Sequence, residues 1–170
     1  MVIWIYGKSN SGKTLLAKKI LTEVKKKKYK FIHIDGDEIR KITFNRDYSI
    51  NGRYNNAILI SNLVYFLNKN KINIVVSTLS NFPKILIQNR KKIKNYFEIF
   101  INSNKKNLYK RDKRKVYFTK NKINTNVVGE DIKFKNPSSF DLKINNNGLK
   151  KTFLKNVQKI VLKAEIDMQA

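Results

Sequence analysis

Short apolar runs alternate along the chain with segments whose apolar residues recur at helical spacing. The runs that predict buried strands span residues 2–6, 31–34, 72–77, 96–101 and 140–144. The segments with helical spacing predict helices over about residues 13–24, 57–67, 83–95 and 149–163. This alternation favours an α/β fold, a three-layer sandwich in which helices cover both faces of a mostly parallel sheet.

One long segment, about residues 104–139, breaks the alternation. Charged residues crowd together there, Gly129 and Pro137 interrupt the chain, and no period is sustained. A segment of that length inside a compact domain is usually a lid or a binding loop. Because the chain has 170 residues and shows no linker or repeat, we predict one domain over residues 1–170, with a basic lid at about 104–139.

Composition narrows the class of protein. The chain has no cysteine, which excludes disulfides, thiolate zinc sites and cysteine nucleophiles and is typical of the cytoplasm. No apolar run approaches the ~18 residues of a spanning helix, so we predict no membrane partner. The formal net charge of +25 favours polyanionic partners. Lys, Asn and Ile are abundant throughout, however, as expected of a genome rich in A and T.

Residues 7–14 carry the clearest motif of the chain. They read Gly-Lys-Ser-Asn-Ser-Gly-Lys-Thr, which satisfies G-x-x-x-x-G-K-[ST] between a predicted strand and a predicted helix. Such a P-loop points backbone N–H groups at phosphates, so we predict an ATP and Mg²⁺ site of the P-loop NTPase type. Lys13 is the candidate catalytic contact to the β- and γ-phosphates, and Thr14 the candidate metal ligand. The candidate nucleotide-binding residues here are Gly7, Ser9, Asn10, Ser11, Gly12, Lys13 and Thr14.

Two carboxylates follow the second predicted strand. Asp35, Gly36 and Asp37 predict a turn in which the glycine tolerates a positive φ. Because ligands of parallel sheets bind at the carboxyl ends of strands, this turn faces the same site as the P-loop. Its carboxylates could complete the Mg²⁺ shell through water and accept the proton of an attacking hydroxyl, and Arg40 could hold an acceptor phosphate. No guanine-reading N-K-x-D segment is present, which favours a small kinase over a GTPase.

A P-loop followed by D-G-D-x-x-R resembles the adenylylsulfate kinases, which phosphorylate the ribose 3′-hydroxyl of adenylyl sulfate. Collinear matches to that family continue at Tyr48, Arg53, Asn56 and Ser80. The resemblance implies that Arg53 and Asn56 hold the acceptor nucleotide and that Tyr48 stacks on its base. It places Ser80 in the same acceptor site.

The predicted lid shows both a match and a departure. The family pattern R-D-x-K-x-x-Y corresponds to residues 111–117, which implies that Arg111 and Arg114 close over ATP. The family's F-T-G, whose Phe covers the acceptor adenine, is replaced by residues 127–129, Val-Val-Gly. With Val127 in the acceptor site, one face of the base pocket loses an aromatic ring, and a smaller base would suit it.

The chain also resembles the cytidine diphosphoramidate kinases, relatives of adenylylsulfate kinases that phosphorylate the 3′-hydroxyl of a pyrimidine nucleotide. We therefore predict an ATP-dependent kinase of a small nucleotide. Cytidine diphosphoramidate is slightly favoured as the acceptor, and adenylyl sulfate is the alternative. Asp37 is the candidate for orienting or deprotonating the hydroxyl and Asp35 for the Mg²⁺ shell, although the two could exchange roles.

Two other functions stay open on sequence alone. The +25 charge also suits an ATP-binding protein that contacts nucleic acid, but no RNA-binding signature accompanies the basic helix faces. A kinase of a non-nucleotide alcohol is the second alternative. Sequence does not decide between a monomer and a homodimer.

Overall fold

A parallel sheet forms the centre of the computed structural model, which describes residues 1–79, 82–113, 115–117 and 126–169. Its strands are β1 (Val2–Tyr6), β2 (Phe31–Asp35), β3 (Asn73–Thr78), β4 (Tyr96–Asn102) and β5 (Leu142–Asn145). They lie in the order β2-β3-β1-β4-β5, and every pairing between them is parallel. The prediction of a parallel sheet is confirmed.

Helices cover both faces of this sheet, which confirms the predicted three-layer sandwich. In the described part of the chain they are α1 (Lys13–Lys26), α2 (Gly36–Ile42), α3 (Ile50–Lys69), α4 (Pro83–Lys92), α5 (Lys105–Lys110), α6 (Lys150–Leu154) and α7 (Asn156–Gln169). Side chains of β1 alternate between two cores because successive residues of a strand point to opposite faces. Ile3 and Ile5 pack in the core formed with α1 and α7. Trp4 and Tyr6 pack in the core formed with α3 and α4.

The third helix begins earlier than its apolar spacing predicts. It starts at Ile50 rather than near residue 57, so Arg53 and Asn56 lie on a helix. The Ser49 hydroxyl oxygen caps this helix by accepting from the Gly52 N–H at 3.1 Å. A Cβ at Gly52 would lie 2.3 Å from Asp47 Cγ, so the start of α3 requires glycine there.

The predicted turn at residues 35–37 is wrong. α2 begins directly at Gly36, and Asp35 is its N-cap. Gly36 does not have a positive φ. A larger residue would not fit at this position, because a Cβ would lie 2.8 Å from Thr78 Oγ1 on β3. Gly36 therefore allows α2 to begin close to the sheet.

The predicted closing helix also differs, since two helices, α6 and α7, occupy its place. Within the predicted lid segment, α5 and an isolated bridge between Val128 and Ile132 are described. Among the described residues, no helix is long and apolar enough to span a membrane.

Candidate active site

The P-loop connects β1 to α1 and passes too close to its neighbours to carry side chains at its two glycines. A Cβ at Gly7 would lie 2.4 Å from the Ile101 carbonyl oxygen, and one at Gly12 would lie 2.7 Å from Asn146 Nδ2. Gly12 is also the N-cap of α1, with a φ of 104° that favours glycine. The loop thus leads directly into a helix N-terminus, which favours bound phosphate.

Lys13 and Thr14 are the first two residues of α1. The Lys13 ammonium donates a hydrogen bond to the Lys8 carbonyl oxygen at 2.7 Å. The Thr14 hydroxyl donates to Asp35 Oδ2 at 2.9 Å. The end of the P-loop and the end of β2 are therefore joined by a direct contact between the two predicted metal-binding residues.

The Asp35 carboxylate is buried and accepts three hydrogen bonds. Its Oδ1 accepts from the Asp37 N–H at 2.9 Å, and its Oδ2 accepts from Thr14 Oγ1 at 2.9 Å and from Ser77 Oγ at 2.7 Å. Burial alone would raise the pKa of Asp35, but these hydrogen bonds outweigh burial and hold the pKa below its usual value. Asp35 is therefore a fixed and ionised carboxylate.

His33 extends this network away from the P-loop. Its Nε2 lies 2.9 Å from Ser77 Oγ. Because the Ser77 hydroxyl donates its one hydrogen to Asp35, its oxygen accepts from His33 Nε2–H. Burial lowers the pKa of His33 despite the opposing charges of Asp35 and Glu38. His33 thus supports Asp35 through Ser77, a contact that the sequence did not predict.

Asp37 and Arg40 both lie on α2 and line the same cleft, but they differ in exposure. Asp37 is exposed, whereas Arg40 is only 7% exposed. Arg40 Nη1 donates to the Asp47 carbonyl oxygen at 2.8 Å, and Nη2 donates to that of Gly52 at 3.5 Å. Arg40 therefore ties the loop between α2 and α3 to α2.

The Tyr48 ring lies against two guanidinium groups. The Cζ atoms of Arg40 and Arg53 are 4.7 and 5.4 Å from the ring centroid. Arg53 also donates from Nε to the Tyr48 carbonyl oxygen at 2.9 Å and from Nη2 to the Asn126 carbonyl oxygen at 2.8 Å. The three predicted acceptor residues thus form one cluster, in which each arginine is held by the protein's own carbonyl groups.

Asn56 and Val127 are two buried residues that line the cleft. Asn56 is 6% exposed, and its Oδ1 has no hydrogen-bond partner among the residues that the structure describes. Val127 is 7% exposed, and its N–H donates to Asp131 Oδ2 at 2.9 Å. A buried acceptor without a partner is costly, so Asn56 is suited to a donor group of a ligand.

Most of these side chains surround one open cleft of about 1150 Å³. That volume is larger than the usual site for a single ligand, which suits two substrates bound together. The predicted site residues that line it are Ser9, Asn10, Gly12, Lys13, Thr14, Asp35, Asp37, Arg40, Tyr48, Arg53, Asn56, Arg111 and Val127. Gly7 and Ser11 are buried in the P-loop instead. Ser80 and Arg114 lie outside the described residues.

Asn146, directly after β5, joins the P-loop to Arg111. Its Nδ2 donates to the Ser11 carbonyl oxygen at 2.8 Å, and its Oδ1 accepts from Arg111 Nη2 at 3.3 Å. Its own carbonyl oxygen accepts from Arg111 Nη1 at 3.0 Å. The sequence prediction missed Asn146, although a polar residue at the carboxyl end of a parallel strand is a signal that could have found it.

The segment that follows α5, described over residues 111–113 and 115–117, also contacts the P-loop. Asn10 Nδ2 donates to Asp112 Oδ1 at 2.8 Å, and the Tyr117 hydroxyl donates to the Ser9 carbonyl oxygen at 3.0 Å. Burial raises the pKa of Tyr117 above its usual range, so the phenol keeps the proton that it donates. The first part of the predicted lid therefore lies directly on the phosphate-binding loop.

Comparisons with known proteins identify a family and two relatives that match most of the chain. The family model described as adenylylsulphate kinase matches residues 1–145. The cytidine diphosphoramidate kinase of Campylobacter jejuni is 39% identical over 148 residues, which is 86% of each chain. A probable adenylyl-sulfate kinase of Pyrococcus abyssi is 30% identical over 116 residues, 68% of this chain and 67% of that protein.

A solved structure agrees with the architecture. The Mycobacterium tuberculosis APS kinase in complex with AMPPNP and APS superposes with a TM-score of 0.85 at 21% identity, covering 96% of each chain. At that level of identity the similarity shows the fold.

Proposed function

The chain belongs to the adenylylsulphate kinase family and is a phosphotransferase, and we propose that it phosphorylates the ribose 3′-hydroxyl of cytidine diphosphoramidate with ATP. One observation carries the proposal of phosphoryl transfer. The carboxyl ends of β1 and β2 bring the P-loop and Asp37 to one cleft, through the contact of Thr14 with Asp35. Phosphoryl transfer requires that the triphosphate and the attacking hydroxyl are held next to each other, so the residues that bind the two must share one cleft.

The P-loop fits ATP and Mg²⁺. Its glycines stand where a side chain would collide with the strand ends, and Lys13, Thr14 and Asp35 supply a cation, a hydroxyl and an ionised carboxylate. Oxygen donors of this kind suit Mg²⁺, held directly or through water. When bound, Mg²⁺ neutralises charge on the phosphate oxygens.

The two carboxylates of residues 35–37 support different roles. Asp35 already accepts three hydrogen bonds and is held ionised, which suits a carboxylate that orients Mg²⁺ water. Asp37 is exposed on the first turn of α2 and faces the cleft volume. We therefore propose that Asp37 accepts the proton of the attacking hydroxyl.

In the proposed reaction the ribose 3′-oxygen attacks the γ-phosphorus of ATP. The bond between that phosphorus and the β–γ bridging oxygen breaks, ADP leaves, and the hydroxyl proton passes to Asp37. Lys13 neutralises charge that develops on the transferred group, and Arg111, held by Asn146, contributes from the lid side. No covalent enzyme intermediate is required.

The choice of acceptor rests on Val127 and on the Campylobacter relative. Val127 is buried in the cleft where the family places a Phe over adenine, so the pocket offers less aromatic surface to a large base. The relative with 39% identity is a cytidine diphosphoramidate kinase. Both favour a pyrimidine acceptor.

The test is a direct comparison of two acceptors. Purified protein is incubated with Mg·ATP and either cytidine diphosphoramidate or adenylyl sulfate, and ADP release is followed. We expect kcat/KM to be higher for cytidine diphosphoramidate. A higher value for adenylyl sulfate would make adenylyl sulfate the acceptor instead of cytidine diphosphoramidate. If neither nucleotide is turned over, the proposed function is refuted.

A further inference from the structure

Three helices end in the same backbone cap. In each, the second residue after the helix donates to a carbonyl three residues earlier, and the third residue donates to one five residues earlier, which is the Schellman motif. The residue at the left-handed position is Lys28 after α1, Phe44 after α2 and Lys71 after α3, with φ values of 65°, 52° and 61°. The three caps are therefore matched in geometry and differ in side chain.

Phe44 is the unusual member of this set. The left-handed position favours glycine because a Cβ crowds the backbone there. The caps at Lys28 and Lys71 are followed by Tyr29 and Ile72, which pack on the two cores. The cap at Phe44 is followed by Asn45, a polar residue, so it lacks the apolar contact that usually accompanies the motif.

Burial does not explain Phe44 either. Its side chain is 84% exposed, more than that of any other large apolar residue described as exposed. A bulky ring in a strained backbone conformation, without packing, points to a function outside the folding of the chain.

The position of Phe44 indicates that function. Phe44 lines the same cleft as Tyr48 and Arg40. Its neighbour Asn45 accepts from Arg40 Nη1 at 3.4 Å, so the loop that carries Phe44 is tied to the acceptor cluster. Ile42, at the end of α2, is 71% exposed but is not among the described residues that line the cleft.

We propose that the ring of Phe44 is a stacking surface for the heteroaromatic base of the acceptor nucleotide. This inference rests on the proposed function, since it assigns one contact within the acceptor site. Phe44 would supply from the α2–α3 loop an aromatic surface that Val127, which lines the same cleft, does not supply. The cap holds an exposed ring that lines the cleft, and a bound base would cover it.

The experiment uses the matched caps. Phe44→Gly removes the ring and relieves the backbone, so we expect acceptor KM to rise roughly 10-fold, the order that base–aromatic stacking supplies. KM for ATP should not change, and Tm should be no lower than that of the wild type. Lys28→Gly and Lys71→Gly make the same backbone change away from the cleft, and Ile42→Ala removes an exposed apolar side chain beside it. All three controls should keep acceptor KM unchanged. Phe44→Tyr, which keeps an aromatic ring at this position, should have the acceptor KM of the wild type.

The possible outcomes separate this inference from the proposed function. If the wild type phosphorylates a nucleotide and Phe44→Gly leaves acceptor KM unchanged, the stacking role is wrong and the kinase assignment stands. A changed molecular mass of Phe44→Gly in solution, with unchanged acceptor KM, would assign the ring to an interface between copies instead. If the wild type phosphorylates neither nucleotide, the proposed function fails and the stacking role fails with it.

Discussion

The proposed ATP half and the proposed acceptor half of the cleft are built in different ways. Around the P-loop, the contacts that constrain the chain involve backbone atoms, such as the Ile101 carbonyl beside Gly7 and the Ser11 carbonyl bound by Asn146. Around Tyr48, which lies between α2 and α3, the contacts come from long side chains, since Arg40 of α2 and Arg53 of α3 both pack on its ring. A backbone cradle admits the phosphates of any nucleoside triphosphate, whereas side chains can change the acceptor without changing the fold.

The largest expected effect is on the ATP half. Lys13→Ala should lower kcat by about 10³-fold, because it removes the cation that neutralises the transferred phosphoryl group. Circular dichroism should stay that of the wild type, since the Lys13 side chain lines the cleft and is not part of either hydrophobic core. Lys19→Ala removes an exposed lysine from the same helix and should be neutral. Activity that persists in Lys13→Ala would contradict the assignment of the P-loop.

Asp37→Asn tests the boundary between the two halves. If Asp37 takes the hydroxyl proton, kcat should fall by about 10²-fold while KM for ATP is unchanged. Glu38→Gln is the matched control, because Glu38 is the next exposed carboxylate on α2 and is not among the described residues lining the cleft. An unchanged kcat in Asp37→Asn would move the role to Asp35 or remove the need for a base.

The same division explains what the sequence could predict. The sheet and the P-loop follow from local signals, namely apolar runs, glycine spacing and the strand–loop–helix context. The start of α3 was missed because residues 50–56 contain few apolar positions, and the helix depends on the Ser49 cap and on a glycine beside Asp47. Asn146 was missed because the strand-end signal is shared by the neighbouring Asn145 and Asn147, and only the contact with Ser11, 135 residues away, distinguishes Asn146 from them.

Asn146→Ala should have an intermediate effect on the ATP half. It leaves the buried Ser11 carbonyl without its donor and removes the acceptor of Arg111 Nη2, while Arg111 Nη1 keeps the backbone carbonyl of residue 146. The loss of these two hydrogen bonds should cost about 2 kcal/mol of unfolding free energy. We expect KM for ATP to rise about 10-fold, because the P-loop and Arg111 lose their common support. Asn145→Ala, at an exposed neighbouring position, is the control. A lowered Tm with unchanged KM for ATP would make Asn146 purely structural.

The smallest expected effect is the most informative about the acceptor half. Val127→Phe would place a ring in the cleft at the position where the family has one, and stacking of that ring is worth about 1 kcal/mol. We therefore expect the ratio of kcat/KM for adenylyl sulfate to that for cytidine diphosphoramidate to rise roughly 5-fold. Val116→Phe makes the same change at another residue that lines the cleft, on the lid side, and should leave the ratio unchanged. A ratio that moves towards the cytidine nucleotide would show that the ring missing at Val127 does not set the preference between the two bases. The acceptor preference would then have to come from the loop that carries Phe44 and Tyr48.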